Sequence, residues 1–138
     1  MERQPDTQPP DAATVAELLR AAREVQARAY APFSKFAVGA ALLTEDGRVF
    51  AACNVENSSY GLSVCAERAA VAAAVAAGAL RFRAVAIVVS GDKPATPCGA
   101  CRQVLVEFSP DMTVVLGAPD GSHSLTTAAE LLPGFFRL

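Results

Sequence analysis

Two short cysteine-containing segments impose the strongest constraint on how this chain folds. The first is Cys65-Ala66-Glu67 and the second is Pro97-Cys98-Gly99-Ala100-Cys101, and each lies where a strand or loop is expected to turn into a helix. Two cysteines three residues apart at a helix start project from one face, so both can reach one ion. A third thiolate from Cys65 would complete a zinc site whose fourth tetrahedral position stays open, which is typical of catalytic zinc.

The residues next to these cysteines suit such a site. Glu67 lies two residues after Cys65, where a carboxylate beside the open position can carry protons. Three thiolates outweigh the charge of Zn²⁺ and weaken it as a Lewis acid. Two helix N-termini directed at the sulfurs would offset that charge. Arg68 and Arg102, each directly after a motif residue, are expected to donate further hydrogen bonds to sulfur.

Each motif taken alone has a commoner explanation. A single C-x-x-C motif is often a redox pair or half of a structural zinc site. A carboxylate in the first turn of a helix usually interacts with the helix dipole. Cys53 is predicted to be a small buried hydrophobic residue, and His123, the only histidine, to be a surface residue in a turn. The combination of Cys-Ala-Glu with Pro-Cys-x-x-Cys is much rarer than either motif.

Hydrophobic periodicity predicts the element order α-β-β-α-β-α-β-(β)-α. Asp11 is expected to cap a first helix that ends at Ala31-Pro32, and Glu45-Asp46-Gly47 to join a hairpin. The remaining elements are expected as strands over 36–44, 48–56, 82–90, 112–117 and 122–125, and as helices over about 65–77, 97–108 and 126–132. This order predicts a three-layer α/β/α sandwich, with a mixed β-sheet of about five strands and helices on both faces. A single domain over 11–138 would follow a disordered tail over 1–10.

Composition excludes several classes of protein. The longest nearly apolar stretch, 69–80, is too short for a membrane-spanning helix, which needs about 20 residues. The polar start of the chain does not resemble a secretory signal, so a cytoplasmic location with reduced thiols is expected. A net charge of −2 argues against nucleic acid as a partner. Hydrophobic residues reach 52% and charged residues 19%, which indicates apolar surface buried against another molecule.

Five motifs together identify a family. They are Tyr30-Ala-Pro-Phe-Ser-Lys-Phe36-Ala-Val-Gly-Ala40, Cys53-Asn-Val-Glu-Asn57, Cys65-Ala-Glu-Arg68, Pro97-Cys-Gly-Ala-Cys-Arg-Gln103 and Leu131-Leu-Pro-Gly-Phe-Phe136. In these motifs, and over about 30–136, the chain closely resembles the homotetrameric zinc-dependent cytidine deaminases of the three-cysteine type. The resemblance implies a cytidine deaminase-like fold. It also implies hydrolytic deamination of cytidine and deoxycytidine to uridine and deoxyuridine, with release of ammonia, in pyrimidine salvage.

The resemblance also implies roles for individual residues. One zinc ion per subunit would be bound by Cys65, Cys98 and Cys101, while an activated hydroxide attacks ring carbon C4 and Glu67 shuttles protons. The implied substrate contacts are Phe36 on the pyrimidine ring, Asn54 and Glu56 on the ribose 3′-hydroxyl, the backbone N–H of Ala66 near the reacting edge of the base, and Ser58, Tyr60 and Phe136 from neighbouring subunits. A homotetramer with shared active sites would also account for the apolar surplus.

Three other functions remain open at this stage. A polynucleotide deaminase would need a basic groove with stacking aromatics, whereas this chain has two lysines and 7% aromatic residues. An aminopyrimidine antibiotic as substrate would use the same zinc site, although Asn54 and Glu56 as a ribose clamp favour a nucleoside. A non-catalytic zinc module would need a fourth protein ligand to close the site.

Overall fold

A computed structural model of the chain describes residues 9–138, so most of the predicted tail over 1–10 lies outside the described residues. The described elements are α1 (Ala12–Gln26), β1 (Val38–Thr44), β2 (Val49–Cys53), a short 3-10 helix (Tyr60–Leu62), α2 (Ala66–Ala76), β3 (Phe82–Val89), α3 (Gly99–Phe108), β4 (Thr113–Gly117), β5 (His123–Thr127) and α4 (Ala128–Leu131). This order confirms the predicted alternation of helices and strands. None of the described helices is long and apolar enough to span a membrane.

The five strands form one mixed sheet in the order β2-β1-β3-β4-β5. Strands β3 and β4 are parallel, and the other neighbouring pairs are antiparallel. Val38 at the start of β1 pairs with Val89 at the end of β3, and Gly39 pairs with Cys53 at the end of β2. Three chain segments therefore meet at one edge of the sheet, and α2 and α3 begin after segments that leave this edge.

Helices cover both faces of the sheet, as predicted. On one face α1 packs its buried residues Val15, Leu18, Leu19 and Ala22 against alternate strand residues such as Ala41 and Ala86. On the other face α2 and α3 pack over Leu42, Val85 and Ile87. Because β3 is covered on both faces, nearly all of its residues are apolar, which explains the continuous hydrophobic run in the sequence.

Element ends differ from the predicted ranges where side chains replace backbone pairing. The first strand begins at Val38 rather than at Phe36, because side chains bind the backbone just before it: Ser90 Oγ accepts from Ala37 N–H at 2.9 Å, and Asn54 binds Phe36 and Val38. The third helix begins at Gly99 rather than at Pro97, because Cys98 is its N-cap residue. The last strand runs further than predicted, to Thr127, and leaves only a short final helix.

Candidate active site

The three cysteines of the two motifs converge at this edge of the sheet. Cys65 is the N-cap residue of α2, Cys98 is the N-cap residue of α3, and Cys101 lies in the first turn of α3. Neither N-cap thiol makes a capping hydrogen bond to the backbone of its own helix, so both thiols can turn to a common point. The sulfurs of Cys98 and Cys101 are 3.3 Å apart, those of Cys65 and Cys98 are 3.9 Å apart, and all three lie within 4.8 Å of one another.

This cluster fits a zinc ion. Tetrahedral zinc with bonds of about 2.3 Å to sulfur places its sulfur ligands about 3.8 Å apart, close to the spacing of these thiols. Among the residues that the structure describes, no other His, Cys, Asp or Glu ligand atom lies within 4.8 Å of all three sulfurs. The described part of the chain therefore offers three ligands, which leaves a fourth position for a water molecule, as in catalytic rather than structural zinc sites.

Positive charge and hydrogen-bond donors favour the thiolate form of Cys65. The pKa of this thiol falls to about 5, chiefly because Cys101 donates a hydrogen bond to it, with further contributions from Arg68 and Cys98. Arg68 Nη2 lies 3.7 Å from the Cys65 sulfur and 3.3 Å from the Ser63 carbonyl oxygen. The pKa of Cys101 is raised because its thiol is the donor to Cys65 and because it is buried. The pKa shifts of these two thiols therefore favour ionisation of Cys65 over Cys101.

Arg102 has a different position from the one predicted. Its guanidinium donates to the Pro97 carbonyl oxygen at 2.7 Å, to the Leu131 carbonyl oxygen at 2.6 Å and to Thr96 Oγ1 at 2.8 Å. The structure therefore brings Arg68, but not Arg102, to a cysteine sulfur. Arg102 instead ties the loop before Cys98 to the end of α4, because its side chain extends back along α3 towards oxygen acceptors that are stronger than sulfur.

Glu67 is the buried carboxyl group of the site. It is the second residue of α2 and only 5% of its surface is exposed. Burial raises its pKa, and the nearby negative charge of Cys65 acts in the same direction. A carboxyl group held out of water next to an open metal position can exchange protons with whatever occupies that position.

A cleft of about 260 Å³ opens above this carboxyl group and the thiols of Cys65 and Cys98. Of the predicted site residues, it is lined by Phe36, Asn54, Glu56, Cys65, Ala66, Glu67 and Cys98. Cys101 lies buried behind it. The prediction missed the other wall residues, namely Val38, Ser63, Val64, Ile87, Val89, Ala95 and Thr96. The position of 87–89 at the carboxyl end of a buried strand was the available signal, since ligand crevices form at such ends in α/β sheets.

Asn54 and Glu56 lie beyond the end of β2, and both line the cleft. The Asn54 amide is buried and holds the segment before β1, because it accepts from Val38 N–H at 2.8 Å and donates to the Phe36 carbonyl oxygen at 2.8 Å. Glu56 accepts from Phe33 N–H at 3.0 Å and from Ser34 N–H at 3.2 Å. We call the part of the cleft lined by Asn54 and Glu56 its polar end, and the part lined by Cys65, Glu67 and Cys98 its metal-binding end.

Three of the predicted substrate contacts lie outside this cleft. Ser58, Tyr60 and Phe136 are exposed, with 76% of Tyr60 and 69% of Phe136 accessible. The Tyr60 ring makes an edge contact with Phe33 at 6.0 Å between centroids, and the Phe136 carbonyl oxygen accepts from Gln103 Nε2 at 3.2 Å. The structure does not bring them into the cleft of their own chain, so their contacts with substrate remain predictions.

Comparison with known proteins points to one family. Residues 13–118 match the family described as the cytidine and deoxycytidylate deaminase zinc-binding region. The cytidine deaminase of Sporosarcina psychrophila is 47% identical over 123 residues, which cover 88% of this chain and 90% of that protein. Two solved structures superpose well. The cytidine deaminase of Burkholderia pseudomallei has a TM-score of 0.83, 50% identity, and coverage of 87% of this chain and 97% of that chain. That of Mycobacterium tuberculosis has a TM-score of 0.78, 43% identity, and coverage of 88% and 96%.

Proposed function

Because this chain belongs to the family of zinc-dependent cytidine and deoxycytidylate deaminases, we propose that the cleft described above is its active site, with Glu67 as the proton carrier. The reaction is the zinc-dependent hydrolytic deamination of cytidine to uridine and ammonia, with one zinc ion per chain. We propose that Cys65, Cys98 and Cys101 hold this ion and that deoxycytidine is also a substrate.

The proposed mechanism assigns the proton transfers to one residue. When bound, zinc supplies a Lewis acid that makes a water molecule nucleophilic near neutral pH. Glu67 takes a proton from this water and delivers it to ring nitrogen N3, which makes carbon C4 electrophilic. After the hydroxide left from this water bonds to C4, Glu67 takes the proton of the new C4 hydroxyl group and delivers it to the amino group, so that the C4–N bond breaks, ammonia leaves and the C4 carbonyl of uridine forms. Arg68 stabilises the Cys65 thiolate through its contact with sulfur, so that the ligand stays ionised.

The rest of the cleft positions the nucleoside. We propose that the Phe36 ring packs on the pyrimidine, and that Asn54 and Glu56 bind the ribose 3′-hydroxyl. Ala66 is the first residue of α2, so its N–H has no acceptor within the helix and can bind the base near its reacting edge. The metal-binding end and the polar end of the cleft thus match the reacting base and the sugar of one nucleoside.

The observation that carries the proposal is that the three-sulfur cluster and the buried carboxyl group of Glu67 meet at one cleft. The test is a purified protein whose zinc content is measured together with ammonia release from cytidine, deoxycytidine, cytosine, cytidine monophosphate and an aminopyrimidine antibiotic. We expect about one zinc per chain and turnover of the two nucleosides alone. Zinc without turnover would indicate a non-catalytic module, and turnover of free cytosine would refute the ribose contacts.

We also propose a homotetramer in which subunits complete each other's clefts. Large apolar side chains stay exposed in the single chain, among them Tyr60 and Phe136. The exposed side of α2 carries small residues such as Ala72, Ala73 and Ala76, which permit close approach of a second helix. Light scattering tests the assembly. Mixing inactive Glu67→Gln chains with impaired Phe136→Ala chains tests the sharing, because hybrid tetramers should regain activity, and no gain would refute it.

The structure also supports proposals for the domain organisation and the cellular location. We propose that residues 11–138 act as one domain, since one sheet with helices on both faces connects the described elements. We propose a cytoplasmic location because the four cysteines are free and three of them form a thiol cluster, which suits a reducing compartment. A fluorescent fusion protein imaged in cells of the source organism would test the location.

A further inference from the structure

We propose that Ser34 is a positioning residue for the substrate, because its hydroxyl group joins the Glu56 carboxylate to the backbone of Phe36. The proposal rests on the proposed function of the cleft, in which Glu56 binds the ribose and Phe36 the base. Ser34 itself is not among the residues that line the cleft around the base. Its role is to hold two substrate-binding groups in a fixed relation to each other.

Among residues 9–138, the hydrogen bonds to the Glu56 carboxylate all come from the turn that contains Ser34. Both backbone donors, Phe33 N–H at 3.0 Å and Ser34 N–H at 3.2 Å, bind the same oxygen, Oε1. The Ser34 hydroxyl donates to the other oxygen, Oε2. These donors lower the pKa of Glu56, and Ser34 is the main cause. Glu56 lies at the rim of the cleft, where an unrestrained glutamate would sample several rotamers, so the hydroxyl limits the directions in which Oε2 can point.

The same hydroxyl also fixes Phe36. Its oxygen accepts from Phe36 N–H at 3.0 Å, while the Phe36 carbonyl oxygen accepts from Asn54 Nδ2 at 2.8 Å. A hydroxyl group has one proton to donate and lone pairs to accept with, so one serine can serve Glu56 and Phe36 at once. Neither alanine nor a purely accepting side chain can replace it.

The backbone of Lys35, between Ser34 and Phe36, has an unfavourable conformation that the surrounding contacts must hold. Lys35 has a φ of 61°, which lies in the left-handed region that residues other than glycine rarely adopt. Such a conformation persists only where surrounding contacts hold it. Here the turn is held by the Lys35 N–H bond to the Ala31 carbonyl oxygen at 3.1 Å and by the Ser34 hydroxyl on the next residue. Loss of the hydroxyl would therefore release Glu56 and Phe36 together.

The consequence is an effect on binding that depends on the substrate's 3′-hydroxyl. Glu56 is the proposed partner of that group, whereas the cysteine cluster and Glu67 make no hydrogen bond to the turn that contains Ser34. Loss of the Ser34 hydroxyl should weaken the binding of nucleosides with a 3′-hydroxyl more than the binding of nucleosides without one. It should leave zinc content unchanged and lower kcat much less than it raises KM.

The experiment compares Ser34→Ala, Ser34→Thr and a matched control, Ser122→Ala. Ser122 also donates its hydroxyl and its N–H to one carboxylate, that of Asp120, but in a distant exposed turn. For each protein we would measure the Kd of uridine and 3′-deoxyuridine by calorimetry, kcat and KM for cytidine, zinc content and Tm. The binding measurement needs no catalysis, so it separates this proposal from the proposed function.

We expect Ser34→Ala to raise the Kd of uridine and the KM of cytidine about tenfold or more, the scale of one lost hydrogen bond to a charged group. The Kd of 3′-deoxyuridine should change by less than threefold, and threonine should restore most of the affinity. The control should match the wild type. Equal losses for the two nucleosides, an unchanged Kd, or a threonine variant as impaired as the alanine variant would overturn the proposal. Uridine binding that depends on Ser34 in a protein without cytidine turnover would support it while refuting the proposed function.

Discussion

Glu67→Gln should abolish nearly all turnover while zinc stays bound. A positioned general acid–base group contributes about 10²–10⁴-fold to the rate. We expect the upper end because Glu67 is only 5% exposed and the other carboxylate lining the cleft, Glu56, is held at the rim by Phe33 and Ser34. A loss of about 10⁴-fold in kcat corresponds to about 5.4 kcal/mol at about 1.36 kcal/mol per factor of ten. Steady-state kinetics with cytidine, together with zinc content, measures it.

The control for this variant is Glu24→Gln, the same chemical change at an exposed position on α1. It should leave kcat and zinc content unchanged. The Tm of Glu67→Gln should be at least that of the wild type, because burial raises the pKa of Glu67 and the neutral amide avoids a buried charge. A Glu67→Gln protein with full zinc and a kcat within tenfold of the wild type would refute the role of Glu67.

Three further predictions concern stability and assembly. Gly39→Ala should lower the free energy of unfolding by about 1–3 kcal/mol or more in urea titrations, because a Cβ atom there would lie 2.0 Å from the Ala22 carbonyl oxygen. The control Gly61→Ala should not lower it, because a Cβ atom at Gly61 would meet no other described residue within 4 Å apart from its chain neighbours. Asp11→Ala should lower Tm at neutral pH because Asp11 Oδ1 accepts from the Thr14 N–H. The pKa of Asp11 is lowered by hydrogen bonds with the Thr14 side chain and the Thr14 N–H, so the difference in Tm should vanish as the pH falls through that pKa. Phe136→Ala should raise the KM for cytidine severalfold without loss of zinc, and an unchanged KM would contradict its place in a shared cleft.

The order of elements was predictable from the sequence because each element has a clear hydrophobic period. The ends of the elements were less predictable where hydrogen bonds from side chains replace hydrogen bonds between strands. The sequence predicts a strand at Phe36 because this residue is aromatic and apolar residues follow it. Its carbonyl oxygen instead accepts from the side chain of Asn54, which lies beyond the end of β2. Pairing of that kind depends on which segments meet in space, and no local pattern in the sequence carries it.

The same distinction explains which parts of the site were foreseen. The cysteine cluster was predictable because a C-x-x-C spacing on a helix start fixes the geometry of two ligands locally, and the third follows from the need to complete the set. The partners of Arg102 were not predictable, because one of its acceptors, the Leu131 carbonyl oxygen, comes close only through tertiary folding. The apolar walls at Ile87 and Val89 had a weak signal: in sequence they look like any buried strand, and only their position at its carboxyl end marks them.

These contacts divide the cleft into two ends that are built by separate means. The metal-binding end depends on helix starts, with Cys65 and Cys98 as N-cap residues and Arg68 one turn along α2. The polar end, which we propose binds the sugar, depends on a loop, in which Ser34 and Asn54 hold the backbone around Phe36. Helix starts are rigid and can hold a ligand set to a narrow geometry, whereas a hydrogen-bonded loop can change residue by residue without moving the metal. Differences in nucleoside preference among chains with this ligand set should therefore arise in the loop around Ser34 and beyond the end of β2, not at the cysteines.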